Sequence, residues 1–168
     1  MPPFRTLAAA AILLLCGGCS VAAEPSEAPP PAVAVAAPCA ETVATPTADR
    51  PTALAQTSSP WFGLGDLWVS LPDYPPTVQG ETLVLRFPVV TLDDGVPTSE
   101  RGAPVVTASR TDAKGEAPAQ IGAFARAFGT DDLSFWPASV AFPDAGCWQV
   151  TGLLGAESVQ FMVSVAEP

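Results

Sequence analysis

The sequence contains no histidine, and it has a single lysine, Lys114. Histidine is the commonest general base and metal ligand in proteins, so its absence removes the usual means of activating a nucleophile. The acidic residues also lack the spacing of a known calcium loop. These absences disfavour an enzyme, and they predict a protein without catalytic residues, metal or cofactor.

Positive charge is scarce throughout the chain. Seven Lys or Arg residues stand against seventeen Asp or Glu, for a net charge of −10. A chain this acidic cannot bind phosphate backbones by counterion release, so nucleic acid is a poor partner. Paired carboxylates for sugar hydrolysis stay open on composition, which keeps a small hydrolase as an alternative. The pairs Asp93–Asp94 and Asp131–Asp132 are predicted to be solvated turn acids rather than calcium ligands.

Residues 1–18 have the pattern of a secretory signal peptide. Arg5 precedes an apolar run, Leu7–Leu15, that is too short to span a bilayer. The run ends in Gly17-Gly18-Cys19, which resembles the bacterial lipoprotein signal, where small residues precede a cysteine that is diacylated before cleavage. Cys19 is therefore the predicted lipidation site, Cys16 is the alternative acceptor, and an ordinary cleaved signal is the competing interpretation. Cleavage removes Arg5 and leaves six basic and seventeen acidic residues, a net charge of −11.

Residues 19–60 are rich in Pro, Ala and Thr, and they predict a disordered tether that is ordered only near Cys39. The folded domain is expected over residues 61–168. Besides a lipidated Cys19, the mature chain keeps Cys39 and Cys147. In an oxidising compartment two cysteines are the number that a disulfide needs, so we predict a Cys39–Cys147 bond. Two free thiols are the alternative.

Short runs of alternating apolar and polar residues indicate strands, separated by turns rich in Pro, Gly and Asp. Residues 120–128 are ambiguous, because Phe124 and Phe128 have helical spacing while two glycines favour strand or irregular chain. Pro137 is expected to place its run at a sheet edge or a bulge. About seven strands and no convincing amphipathic helix predict an all-β, immunoglobulin-like sandwich.

The clearest of these runs forms the predicted closing hairpin. Gly152 to Gly155 supply its turn, and Trp148 and Val150 face the core. By alternation the side chain of Cys147 points to the opposite face. The second strand places four residues on the core face: Val159, Phe161, Val163 and Val165.

The segment Phe142-Pro-Asp-Ala-Gly-Cys-Trp-Gln-Val-Thr151 resembles the C-terminal signature of a family of uncharacterised bacterial lipoproteins, Phe-Pro-x-x-Gly-Cys-Trp-x-Val-Thr. Gly65–Trp68 and Leu85–Pro88 lie where that family has a Gly-Leu-Trp-like and a Lys-Phe-Pro-like strand. Cys39 matches an early cysteine of the family, which is often followed by Pro but here by Ala40. The resemblance covers about residues 39–165, and it implies a lipid-anchored immunoglobulin-like domain with a Cys–Cys tie. It brings no catalytic residue.

These features predict an extracytoplasmic module in the bacterial envelope, held to the membrane by its lipid, with a protein or a cell-wall glycan as partner. The alternative is a carbohydrate-binding module whose exposed aromatics stack on sugar rings. The competing interpretation is that these aromatics pack in the core and at strand rims, since aromatic residues favour strands and bury large areas. The candidate ligand surface consists of Trp61, Trp68, Tyr74 and Trp136.

Overall fold

A computed structural model describes residues 39–127 and 133–167. The predicted signal peptide, the lipidation site Cys19, the tether before Cys39, Phe128 and the Asp131–Asp132 pair lie outside the described residues. Two antiparallel sheets pack face to face around an apolar core, which confirms the all-β sandwich. Of the twelve strands in the described part of the chain, seven have four or more residues.

The N-terminal segment contains a 3₁₀ turn (Thr47–Asp49) and one helical turn, α1 (Thr52–Ala55). The strands follow in chain order: β1 (Trp61–Leu64), β2 (Leu67–Ser70), β3 (Thr77–Gln79), β4 (Thr82–Asp93), β5 (Val96–Pro97), β6 (Val105–Arg110), β7 (Glu116–Ala117), β8 (Ala119–Ile121), β9 (Ala125–Arg126), β10 (Ser134–Phe142), β11 (Gly146–Leu154) and β12 (Glu157–Val165).

The larger sheet has the order β1-β2-β4-β10-β8, with short β3 and β5 paired to β4 and short β9 paired to β10. The smaller sheet has the order β12-β11-β6-β7. The ambiguous segment near Phe124 forms β8 and β9 with irregular chain between them, rather than a helix.

The closing hairpin consists of β11 and β12, and its alternation is as predicted. Trp148, Val150 and Phe161 are at most 2% exposed and lie in the core between the sheets. The turn differs from the prediction: pairing continues to Leu154 opposite Glu157, so the loop is Gly155-Ala156, with Gly155 at φ 59°. The strand extends because Leu154 is a buried core residue, so Gly152 lies within the ladder.

Aromatic contacts join the two sheets across this core. The rings of Phe87 on β4 and Phe161 on β12 meet edge to face, with centroids 5.3 Å apart. Phe142 on β10 contacts Trp148 on β11 at 5.2 Å. The Trp148 indole N–H donates to the Asp144 carbonyl at 3.2 Å, so this buried ring keeps its hydrogen bond.

A second apolar cluster covers part of the outer face of the larger sheet. Because of it, all four residues of β2 are buried, including Trp68 and Ser70, which alternation places on the face away from the core between the sheets. Leu67 and Val69 belong to the core between the sheets, whereas Trp68 packs on the outer face. The outer cluster comprises Leu54, Trp61, Trp68, Val90, Leu92 and Leu133.

For residues 40–60 the structure differs from the expected tether. Leu54 on α1 is fully buried in the outer cluster, and Thr57 accepts a hydrogen bond from the Trp61 indole at 2.6 Å. Within this low-complexity segment, one apolar residue, Leu54, packs into a cluster that is otherwise formed by later parts of the chain. The folded part of the chain therefore extends from Trp61 back to Cys39.

Residues 39–60, here called the strap, connect the two sheets. The hydroxyl of Thr42 accepts from the Met162 N–H on β12 at 2.8 Å, and the Thr45 N–H donates to the Trp61 carbonyl on β1 at 2.8 Å. Arg50 then donates to the Thr45 and Ser59 carbonyls at 2.7 and 2.9 Å. Since β12 and β1 are the outermost strands of their sheets, the strap crosses the side of the sandwich between them.

The strap begins at the predicted disulfide, which the structure contains. Cys39 bonds Cys147 at the start of β11, with Cα atoms 5.4 Å apart and a sequence separation of 108. Trp148 faces the core, so Cys147 faces the other side, as alternation predicted. The bond joins Cys39, the first described residue, to β11, which lies between β12 and β6 in the smaller sheet.

Candidate functional site

Three of the four aromatics proposed for a ligand surface are buried. Trp61, Trp68 and Trp136 are 1%, 3% and 9% exposed, whereas Tyr74 is 48% exposed. The proposed surface of four aromatics is therefore wrong for the tryptophans. Their burial follows from strand positions that face either the core or the outer cluster, where a large ring removes the most apolar area from water.

Each buried indole has a nearby hydrogen-bond acceptor. Trp68 donates to the Gly65 carbonyl at 2.8 Å, and Trp136 donates to the Thr91 hydroxyl at 3.0 Å. A buried indole N–H without a partner would cost free energy, so these contacts keep the tryptophans in the interior. Among the predicted candidates, only Tyr74 is available to a ligand.

Two prolines lie opposite each other in the larger sheet, beside Tyr74. Pro137 on β10 pairs directly with Pro88 on β4. Neither has a backbone N–H, and opposite residues in an antiparallel pair exchange either both hydrogen bonds or neither. The pair exchanges no hydrogen bond, so the backbone N and O of Pro137 face the other neighbouring chain, where three residues between β8 and β9 lie opposite Trp136 and Pro137. Pro137 is therefore not at a sheet edge, and it lies beside an irregularity of the bulge kind, which the prediction had named as the other possibility.

The flanking strands are interrupted at the level of the two prolines. On one side β2 and β3 leave residues 71–76 outside the ladder, and on the other β8 and β9 leave residues 122–124 outside it. Gly122 crosses close to Pro137: its N–H donates to the Pro137 carbonyl at 2.8 Å, and a Cβ there would lie 2.8 Å from the proline ring. The result is a depression on the outer face.

This depression, here called the outer groove, has a volume of about 380 Å³. That lies in the range of small-ligand sites, about 300–1,000 Å³. Its lining is mainly apolar, with an amide, a hydroxyl and a guanidinium at its rim. The lining residues used below are Tyr74, Arg86, Pro88, Gln120, Phe135, Pro137 and Ser139.

Tyr74 borders the groove and is held by its own hydroxyl. The hydroxyl donates to the Arg86 carbonyl on β4, in the stretch where neither β2 nor β3 pairs with that strand. A side chain thus replaces a missing ladder partner, and the ring is fixed in place while about half exposed. Tyr74 also borders two adjoining clefts, of about 370 and 290 Å³, so three indentations of the surface meet at this residue.

The acidic turn Asp93–Asp94 connects β4 to β5. Asp94 has φ 48° and Gly95 has φ 76°, the two positive values that a tight hairpin turn of this kind requires. Local backbone geometry thus explains an Asp-Gly pair at this position. Within residues 39–127 and 133–167, no group of three or more His, Cys, Asp or Glu residues is placed to hold a metal ion.

A cluster of charged side chains lies beside the disulfide. Arg110 Nε is 2.6 Å from Asp112 Oδ1, and Asp112 Oδ2 accepts from the Cys147 N–H at 3.3 Å. The hydrogen bond from Arg110, followed by that from the Cys147 N–H, holds the pKa of Asp112 below its ordinary value of 3.8. This carboxylate connects the end of β6 to the start of β11.

Replacing Asp112 with Asn should reveal this contact as a pH-dependent loss of stability. A lowered folded-state pKa stabilises the fold above the unfolded-state pKa, and that contribution disappears as pH falls through the folded value. The difference in thermal midpoint between wild type and Asp112→Asn should be full above about pH 5 and shrink below about pH 4. A difference that stays constant down to about pH 2 would contradict the assignment.

Sequence reasoning identified Tyr74 and missed most of the groove. The sequence gives no separate role to Arg86 or Ser139, and Pro88 enters only through the Leu85–Pro88 segment of the family resemblance. The available signal was a proline inside each of two apolar strand runs, at positions 88 and 137. The two prolines indicate a site only once the strand register is known, because the register places them opposite each other.

No protein-family model, curated protein or solved structure matches this chain. Over the described ranges, the structure has no helix of sufficient length and apolar character to cross a membrane.

Proposed function

We propose that this protein is a lipid-anchored, extracytoplasmic, immunoglobulin-like module in the bacterial envelope, and that it acts by binding a partner rather than by catalysis. The outer groove is the observation that supports the proposal. It combines an exposed, fixed aromatic ring with a floor of two proline rings and a few polar groups, the composition expected of a recognition site.

Two further features support the location. The Cys39–Cys147 disulfide is a bond of oxidising compartments, which for a bacterium lie outside the cytoplasm. The signal-like residues 1–18 and the Gly-Gly-Cys19 sequence supply both an export route and an acyl acceptor. Two or more acyl chains anchor a protein stably, whereas one gives only marginal binding. A module of this kind would present its groove at the membrane surface.

The binding role can be tested by photo-cross-linking in intact cells. A photoreactive phenylalanine replaces Gln120 at the groove, or Gln160 as the control. Both glutamines are exposed, and Gln160 lies on the outer face of the smaller sheet. We expect a discrete adduct from position 120 only, and we expect Ser139→Trp, which fills the groove, to remove it. Equal adducts from both positions, or none from position 120, would contradict the proposal.

The same cells test the anchor. A fatty-acid probe should label the wild-type protein and not the Cys19→Ser variant. Persistent labelling of Cys19→Ser would assign the acyl group to Cys16.

A further inference from the structure

Among residues 39–127 and 133–167, no acid forms an ion pair with Arg86, although acids outnumber basic residues in the sequence by ten. Arg101 pairs with Asp66 and Glu157, and Arg110 pairs with Asp112. Arg86, at the rim of the outer groove, instead meets the side-chain oxygen of Gln79 at 2.7 and 3.1 Å, in the amide orientation that satisfies both groups.

Gln79 holds the guanidinium of Arg86 in place without neutralising it. A guanidinium has five N–H donors, and the amide oxygen accepts from two of them. The other three have no partner within the described ranges. Since Arg86 is exposed, its unused donors can form the paired hydrogen bonds that a planar carboxylate accepts.

We propose that the outer groove binds the C-terminal residue of a partner polypeptide, an inference that rests on the proposed function. The α-carboxylate of that residue contacts Arg86, and its apolar side chain lies over Pro88 and Pro137. Phe135 and Tyr74 border that side chain, and Gln120 and Ser139 can hydrogen-bond the backbone of the same residue. A chain end carries its carboxylate and its side chain on one carbon atom, so a single residue presents both groups that the site would bind.

Charge favours a ligand with a single carboxylate. Each additional acid on the partner would meet the negative field of a chain with net charge −10, whereas one carboxylate in contact with Arg86 is compensated locally. At physiological ionic strength the remaining charges are screened beyond about 8 Å. The largely apolar lining also favours a peptide over a sugar, which needs polar partners for several hydroxyl groups.

The test uses the full chain in detergent micelles, labelled with ¹⁵N, and two probes: acetyl-Ala-Ala-Phe with a free carboxylate, and the same peptide as its carboxamide. We expect shifts at the Ile121 and Ser139 amides, and an affinity for the acid about three- to tenfold above that for the amide. Arg86→Gln should remove this preference. Lys114→Gln, which removes one positive charge from the β6–β7 turn, should retain it.

The outcomes separate this inference from the function on which it rests. Equal affinities for acid and amide would overturn the carboxylate assignment and leave the groove as a binding site. Tighter binding of N-acetylmuramic acid than of the peptide acid would overturn the peptide assignment. Absence of shifts with every probe, together with no adduct from position 120, would overturn both.

Discussion

Replacing Cys39 with serine should lower the free energy of unfolding by about 4–5 kcal/mol, the largest effect that we expect from a single substitution. The bond closes a loop with a sequence separation of 108, and the entropy cost of such a crosslink falls on the unfolded chain. A typical domain is stable by about 5–15 kcal/mol, so the variant should be close to the limit of folding.

Denaturant titration under non-reducing conditions measures this effect, with Cys147→Ser as the matched variant. Both single variants and the double variant should lose the same amount, because each removes one constraint. Reductant should bring the wild type to the same value. Mass spectrometry of unreduced, alkylated protein gives the opposing outcome: two alkylated cysteines would mean that the bond is absent in solution.

Truncating Leu54 to alanine should lower the free energy of unfolding by about 2–5 kcal/mol. Leu54 is fully buried in the outer cluster, where it contributes to covering Trp61 and Trp68. Its removal would leave a cavity between the strap and the larger sheet, because the two tryptophans are held by strand pairing and indole hydrogen bonds.

Val43→Ala is the control from the same strap. Val43 is 82% exposed, so its truncation should change stability by less than about 0.5 kcal/mol. The pair separates a packed strap from a tether, since a tether would tolerate both substitutions equally. A loss below about 0.5 kcal/mol for Leu54→Ala would mean that α1 does not pack on the sheet in solution.

The sequence was most informative where a prediction does not depend on which strands pair with each other. The alternation in β12 identified the core face that carries Val159 and Phe161, because strand periodicity is a local property. Cysteine counting identified the Cys39–Cys147 pair, because only two of the four cysteines remained once Cys16 and Cys19 were set aside. Both predictions needed no knowledge of which strands are neighbours.

The features that failed depend on contacts between distant segments. Trp68 was open to interpretation as a surface ring because its outer face is covered by Leu54 and Leu133, which lie far away in sequence. The place of Pro137 inside the sheet depends on the strand register, which puts Pro88 opposite it and irregular chain at Gly122 beside its missing N–H. Arg86 was unremarkable in the sequence, since the lack of an acidic neighbour becomes visible only in three dimensions.

The position of the disulfide also decides how the domain would bear a mechanical load. A pull on the chain ahead of Cys39 passes through the bond into β11, which is paired on both sides, with β12 and with β6. The strap lies inside the closed loop and carries none of that tension. Without the bond, the same pull would peel the strap from the sandwich one contact at a time, beginning at Thr42. Oxidation thus transfers the load from the few contacts of the strap to a strand that is held by two ladders.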